Sequence, residues 1–253
     1  MPYESRETDL AASFVELADT LVGEDFDVID FLHTLTDHCV RLLDVAATGV
    51  LLASPQGRGL DVAASDENTR ALQASSVEQG AGPGQDCLRT GRPIPDIPLD
   101  HPHAQAAWRR FSRAARDLGF TSVAAVPLRL REQVIGALVL FNARPTPLDA
   151  DRLRLARALA NMAAISILQQ RALRDSAALA VQLRGALSSR VVIEQAKGVL
   201  AQRRGVSVQD AFEQIRGHAR HHQRRLTDVA QDVLDSMAGA SRTAAHDWSS
   251  DRR

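Results

Sequence analysis

From Asp149 to Leu187 the chain contains no proline and a single glycine, Gly185, while Ala, Leu and Arg dominate. Such residues lose little rotamer freedom in a helix and expose no competing backbone partner, so one long helix is predicted over the whole run. It continues through Ser189–Arg204 and stops at Gly205, a residue type suited to the left-handed position just past a helix end. Ile165, Leu168, Ala172, Leu179 and Leu183 follow an approximate heptad, interrupted at Asp175 and Ser176. A helix this long with a narrow apolar seam needs a cover. A parallel coiled-coil homodimer over 146–187 is the favoured expectation, and folding back on a sandwich of the same chain is the alternative.

Before this helix the period changes repeatedly. Leu10, Phe14, Leu17 and Leu21 predict a short helix within 1–25, ending near Gly23. Phe26, Ile29, Leu32, Leu35, Cys39 and Leu42-Leu43 form the stripe of a second. Thr48–Ser54 and Leu60–Ser65 read as strands around the turn cluster Pro55–Gly59, and Glu67–Glu78 reads as a helix. Gly80–Pro102 reads as loop with a short helix at Asp86–Arg89, and His103–Leu118 as one helix. Ser122–Leu130 and Gln133–Asn142 are strands with only Arg131 and Glu132 between them, a tight hairpin. This order predicts an α+β fold, an antiparallel sheet flanked by helices. The segment resembles GAF domains through Thr121-Ser-Val-Ala-Ala-Val-Pro127-Leu128, Val134-Ile-Gly136-Ala-Leu-Val-Leu-Phe141 and the preceding Gly91-Arg-Pro-Ile, a layout also found in PAS-like sandwiches. The resemblance implies a sensor module over 26–145 whose input is a small-molecule ligand, a redox signal or no ligand at all; it nominates no ligand-binding residue.

The C-terminal part carries the chain's only lysine, Lys197, beside a glycine inside a helical run, Gly198. Glycine there costs about 1 kcal/mol relative to alanine, so a bare backbone at that point calls for a reason. Val192, Ile193, Ala196, Val199 and Leu200 form the buried stripe of this first helix. Ser207-Val-Gln-Asp210 outlines a capping box for a second, whose stripe is Val208, Ala211, Phe212, Ile215 and Ala219. Thr227 is the expected cap of a third, with Val229, Ala230, Val233, Leu234 and Met237 facing inward. Three amphipathic helices with short loops make a small bundle. Between Arg184 and Arg225 nine basic residues stand against three acids, Glu194, Asp210 and Glu213.

Over 188–238 the chain resembles the ANTAR domain, through Ser189-Arg190, Gln195-Ala196-Lys197-Gly198-Val199-Leu200, Asp210-Ala211-Phe212 and Leu226 before Val229-Ala230. Family members often carry Met where Ala201 stands and Asn where Gln223 stands. The resemblance implies a three-helix RNA-binding module that recognises paired stem-loops in nascent transcripts and promotes antitermination. On this reading the RNA-binding residues are Ser189, Arg190, Glu194, Lys197, Gly198, Ala201, Arg203, Arg204, Arg216, Arg220 and Arg224. Arg190, Lys197 and Arg204 recur every seven residues, near one helix face. Lys197 is expected to be exposed. With no Trp or Tyr in the module, base stacking would fall to arginine planes or to His218, His221 and His222. A basic three-helix module also fits a sensor-linked DNA-binding regulator of the helix-turn-helix kind, which would read a major groove.

A formal net charge of -1 excludes a protein that coats nucleic acid over its whole surface. No Walker loop, GxSxG or dinucleotide glycine pattern appears, and His101-Pro102-His103 lacks further ligands at useful spacing. No catalytic residue, cofactor or metal is therefore expected. Cys39 and Cys87 form no CxxC pair; Cys39 lies on an apolar stripe, and Cys87 is read as packing rather than as a redox or chromophore site. The N-terminus lacks a basic-then-apolar leader and no apolar run is long enough to span a bilayer. A cytoplasmic protein with no membrane partner is expected, ending in a disordered tail at 239–253.

Overall fold

The computed structural model describes residues 12–13, 15–17, 26–54, 59–144 and 146–247. The chain divides into two compact units, residues 1–172 and 173–253. The first contains α1 (Val28–Leu43), β1 (Ala47–Ala53), β2 (Leu60–Ala64), α2 (Glu67–Gln79), α3 (Pro83–Thr90) and β3 (Ile94–Pro98). It continues with α4 (Pro102–Ala107), α5 (Arg109–Asp117), β4 (Ser122–Leu130), β5 (Gln133–Asn142) and the first turns of α6 (Ala150–Arg204).

The strands form one sheet in the order β2-β1-β5-β4-β3, with every neighbouring pair antiparallel. Side chains alternate across a strand, and here both faces are covered. Ala124, Val126 and Leu128 of β4 and Leu138 and Leu140 of β5 point into a core with α1 and α6. Val123 and Ala125, with Ala137, Val139 and Phe141, point the other way into a core containing Trp108, Phe111, Leu72 and Leu99. That double burial is why β4 and β5 read as nearly continuous apolar runs rather than alternating ones.

Helix α1 starts where the sequence permits: the Asp27 carboxylate accepts from the Ile29 and Asp30 amides at 2.6 and 3.3 Å. Leu32, Leu35, Cys39 and Leu43 of the predicted stripe are buried, and Phe31, which the stripe did not include, is buried with them. Ile29 is the exception at 40% exposure. The opening turns of α6 lie on the same core through Ala156, Leu159, Ala160, Ala163, Ala164 and Ile167. Four of the six buried residues on that face are alanines. The span expected as a coiled-coil linker from residue 146 therefore begins as part of the sandwich, and Leu168 of the heptad is packed against it.

Three further expectations are corrected. Ile94–Pro98, read as loop, is a strand; its two prolines are tolerated because β3 lies at the sheet edge, and its register is irregular between Ile94 and Ile97. The helix predicted over His103–Leu118 breaks at Trp108, whose backbone leaves helical geometry (φ −132°, ψ 43°). The break turns the indole into the core at 2% exposure, with Nε1 donating to Asp86 Oδ2 at 2.8 Å. Residues 239–247, expected in a disordered tail, belong to a helix that runs to Asp247. Of the predicted first helix, residues 12–13 and 15–17 are helical and Leu17 is fully buried; Leu10, Phe14, Leu21 and Gly23 lie outside the described residues, as do the turn positions 55–58 and residues 248–253.

The β1–β5 pairing requires Gly136. A Cβ there would stand 2.5 Å from the Leu51 carbonyl oxygen and 3.4 Å from the Leu52 Cα, both backbone atoms that cannot rotate away. Gly136→Ala is expected to cost about 2 kcal/mol, the range for overpacking a filled core. Urea unfolding followed by far-UV circular dichroism should read this as a lower midpoint; an unchanged midpoint would mean that the strands part freely at that point.

Candidate RNA-binding surface

The second unit is built from the end of α6, α7 (Val208–His221) and α8 (Leu226–Asp247). Its core is Ala196, Ile215, Ala219, Val229 and Ala230, flanked by Val192, Ile193, Leu200, Leu226, Val233 and Leu234. Most of the inward stripes expected for a three-helix bundle are present in it. Val208 departs from them at 49% exposure, Val199 and Phe212 lie outside this cluster, and the Met237 side chain lies outside the described residues. Gly205 ends α6 in the left-handed region (φ +63°). The Val206 amide returns to the Ala201 carbonyl at 3.2 Å, closing the helix end. Ser207 then starts α7: its Oγ accepts from the Asp210 amide at 3.1 Å and donates to the Asp210 carboxylate at 2.7 Å.

Helix α8 begins one residue before the expected cap at Thr227, with the Arg225 carbonyl accepting from the Asp228 and Val229 amides at 3.1 and 3.2 Å. The loop before it turns at Gln223, which takes a left-handed conformation (φ +51°). Asn enters that region more readily than Gln because its short amide reaches its own backbone. This gives a physical reason for the Asn often found at this position in ANTAR domains.

The candidate residues separate by what engages them. Lys197 is not the exposed cation expected: its side chain is only 16% exposed. Nζ donates to both carboxylate oxygens of Glu194 at 2.9 Å and sits 5.2 Å from the centre of the Phe212 ring. The stem thus covers an aromatic face on the neighbouring helix and ties α6 to α7. Arg204 donates to Gln214 Oε1 at 2.7 Å, Arg216 lies 3.6 Å from Glu213, and Arg224 bonds Asp232 at 2.6 Å. Ala201 is buried at 9% exposure, so it acts through packing, and Ser189 is half-buried.

Among the described residues, no ion pair or side-chain hydrogen bond engages the exposed guanidinium groups of Arg190, Arg203, Arg220 and Arg225. Arg225 was absent from the sequence-derived set although its position between two helices made it visible. Phe212 was assigned to the core on spacing; its role under Lys197 depends on a neighbouring helix and has no local signal.

Gly198 is exposed, and a Cβ built on it would meet nothing within 4 Å. The bundle's own packing therefore does not require the glycine. At the other end of α7, His218 and His221 crowd His222, with ring centres 4.3 and 4.9 Å away. Desolvation first, then electrostatic interaction with His218, His221 and Arg224, holds His222 below the ordinary histidine range. In the first unit, burial raises both Cys39 and Cys87 to about 12, away from the thiolate form.

Comparison with known families settles the class. The GAF domain family matches residues 27–167, more than half of the chain. The chain belongs to the GAF family. It also carries an ANTAR domain at residues 181–234. The GAF match ends within α6 at 167 rather than at 145, where the alanine face leaves the sandwich. Among solved structures, the GAF domain of a phosphoenolpyruvate-protein phosphotransferase from Coxiella burnetii is 16% identical, with a TM-score of 0.50 over 67% of this chain and 96% of that one. The corresponding Acinetobacter domain is 15% identical (TM-score 0.46; 65% and 95% covered). The second GAF domain of DevS from Mycobacterium smegmatis is 16% identical (TM-score 0.45; 59% and 99% covered). No curated protein matches the chain. A GAF domain is sensory and an ANTAR domain is an RNA-binding antitermination domain, so this GAF–ANTAR chain is a sensor-linked regulator built from regulatory rather than catalytic domains. Among the described residues, no helix is long and apolar enough to cross a membrane.

Lys197→Ala should lower bundle stability by about 1 kcal/mol, through the lost ring contact and stem packing; Lys197→Met should recover part of it, measured as thermal unfolding of the full chain. Gln223→Asn should raise stability by about 0.5 kcal/mol, matching the several-fold preference of Asn for the left-handed region. A fall in melting temperature for Gln223→Asn would show that the glutamine side chain holds the loop.

Proposed function

We propose that this GAF–ANTAR chain is a signal-responsive regulator whose C-terminal bundle binds paired stem-loops in nascent transcripts and promotes antitermination. The observation that carries the reading is a set of exposed, unengaged arginines, Arg190, Arg203, Arg220 and Arg225, on a module of the RNA-binding antitermination family. Free guanidinium groups supply phosphate contacts without first breaking an internal pair. The open face at Gly198 lets a ribose or base edge approach the α6 backbone, which explains a helix-interior glycine that no packing contact demands. Lys197 serves this surface from behind by fixing the angle between α6 and α7. Arg204, Arg216 and Arg224 can join by exchanging their present partners, at some cost in affinity.

A homodimer is part of the proposal. Leu173, Leu179, Leu183, Leu187 and Val191 are each more than half exposed along α6, an apolar seam in need of a partner. Two paired modules would engage two loops, the second at raised effective concentration. The sandwich would receive a small-molecule or other signal and bias the spacing of the paired helices. Such a protein works in the cytoplasm, where transcripts are made.

The test is competition between a paired stem-loop leader RNA and duplex DNA for the full chain. Arg190→Ala with Arg203→Ala should weaken RNA binding about tenfold or more at moderate salt, and lower the salt dependence by about one to two ion equivalents. Tighter binding of the duplex would replace this reading by the DNA-binding one. Gly198→Ala should have opposite effects on two measurements: a gain of about 0.5–1 kcal/mol in stability and a loss of RNA affinity. A gain in both would remove the notch from the binding surface. Sedimentation of a monomer at micromolar concentration would remove the dimer.

A further inference from the structure

Helix α5 carries a charge pattern that RNA binding by the terminal bundle leaves unused. Arg109, Arg110, Arg113 and Arg116 fill four of its nine positions, and all four are exposed. Among the described residues, no ion pair or hydrogen bond engages any of their guanidinium groups. On the same unit Arg70, Arg89, Arg144 and Arg152 each meet a carboxylate. Positions 109, 113 and 116 share one helix face, and these three arginines line a single open cavity of about 460 Å³ with Gln105 and Asp117.

The cavity wall is held firmly. Phe111, Ser112 and Ala115 bury the opposite face of α5, Ser112 Oγ donates to the Ala104 carbonyl at 3.1 Å, and the Trp108 indole is locked by Asp86. Three like charges facing one cleft repel, and the cleft supplies one carboxylate, Asp117, against them. Their Cα atoms span about 10 Å along the helix. Guanidinium forks pair bidentately with phosphate oxygens. A compact anion with two or three linked phosphoryl groups therefore fits the number, spacing and chemistry of the donors. A cleft of this size, lined by three arginines and one acid, suits such a molecule better than a continuous nucleic-acid strand.

We propose that the Arg109–Arg113–Arg116 face of α5 is a binding site for a compact polyphosphate, such as the phosphate chain of a nucleoside triphosphate, on the sensor domain. The site is independent of the RNA surface, and its loss leaves the RNA reading intact.

Titration calorimetry of the full chain with sodium tripolyphosphate, and separately with GTP and ATP, at near-physiological salt tests it. Saturable binding of one tripolyphosphate per chain is expected. Arg113→Ala should weaken it by about tenfold, as expected for one charge-assisted bidentate contact, and Arg109→Ala/Arg113→Ala/Arg116→Ala should abolish it with the circular dichroism spectrum unchanged. Arg190→Ala/Arg203→Ala in the terminal bundle should have no effect. Tighter binding of a nucleotide than of tripolyphosphate supports the site and adds a base contact; equal binding supports recognition of the phosphates alone. Absence of saturable binding overturns the proposal. So does equal weakening by the bundle variant, which would mean general charge attraction, or binding at the α5 arginines of a short RNA but not of tripolyphosphate.

Discussion

Covering both faces of β5 is the constraint on which the sandwich depends. From Ala137 to Phe141 its odd- and even-numbered residues feed two separate cores, so the chain must supply helices on both sides of one sheet. The first turns of α6 complete one of those layers. Ala156, Ala160, Ala163 and Ala164, with the larger Leu159 and Ile167, form the buried face. Beyond residue 172 the apolar positions change character from small and buried to large and exposed. One helix therefore answers two requirements in succession: closure of a sheet, then presentation of a leucine seam.

Much of this was legible in the sequence, and for identifiable reasons. The strands β1, β2, β4 and β5 announced themselves through β-branched and apolar runs bounded by turn residues. The capping of α7 followed from Ser207 and Asp210, and the end of α6 from Gly205. What stayed hidden depended on contacts distant in sequence. Pro95 and Pro98 masked β3, because local propensity carries no information about whether a strand lies at an edge. Trp108 broke a helix whose apolar spacing continued unbroken, since an indole reaching Asp86 outweighs local preference. The heptad could be counted, but which of its members would meet the sandwich could not.

On the candidate RNA surface, composition and geometry carry different information. A lysine within a basic run reads as solvent-exposed; here its stem lies over Phe212, fifteen residues away along the chain, and Glu194 pairs with its head. Arginines with acids or amides at reach, such as Arg204 and Arg224, differ physically from Arg190 and Arg203, although the sequence writes them with one letter. Phosphate contacts that start from an unpaired guanidinium need no exchange of partners, so pairing state divides the set more sharply than charge does.

With Lys197 the sole lysine of the chain, the only side-chain primary amine belongs to the joint between two helices. Acylation of that nitrogen would cancel its charge at the ring and release Glu194 in one chemical event, uncoupling the orientation of α7 from α6. Lysine-directed chemistry on this protein is thereby confined to one mechanical hinge, and reactivity at that atom becomes a direct gauge of how tightly the bundle is closed.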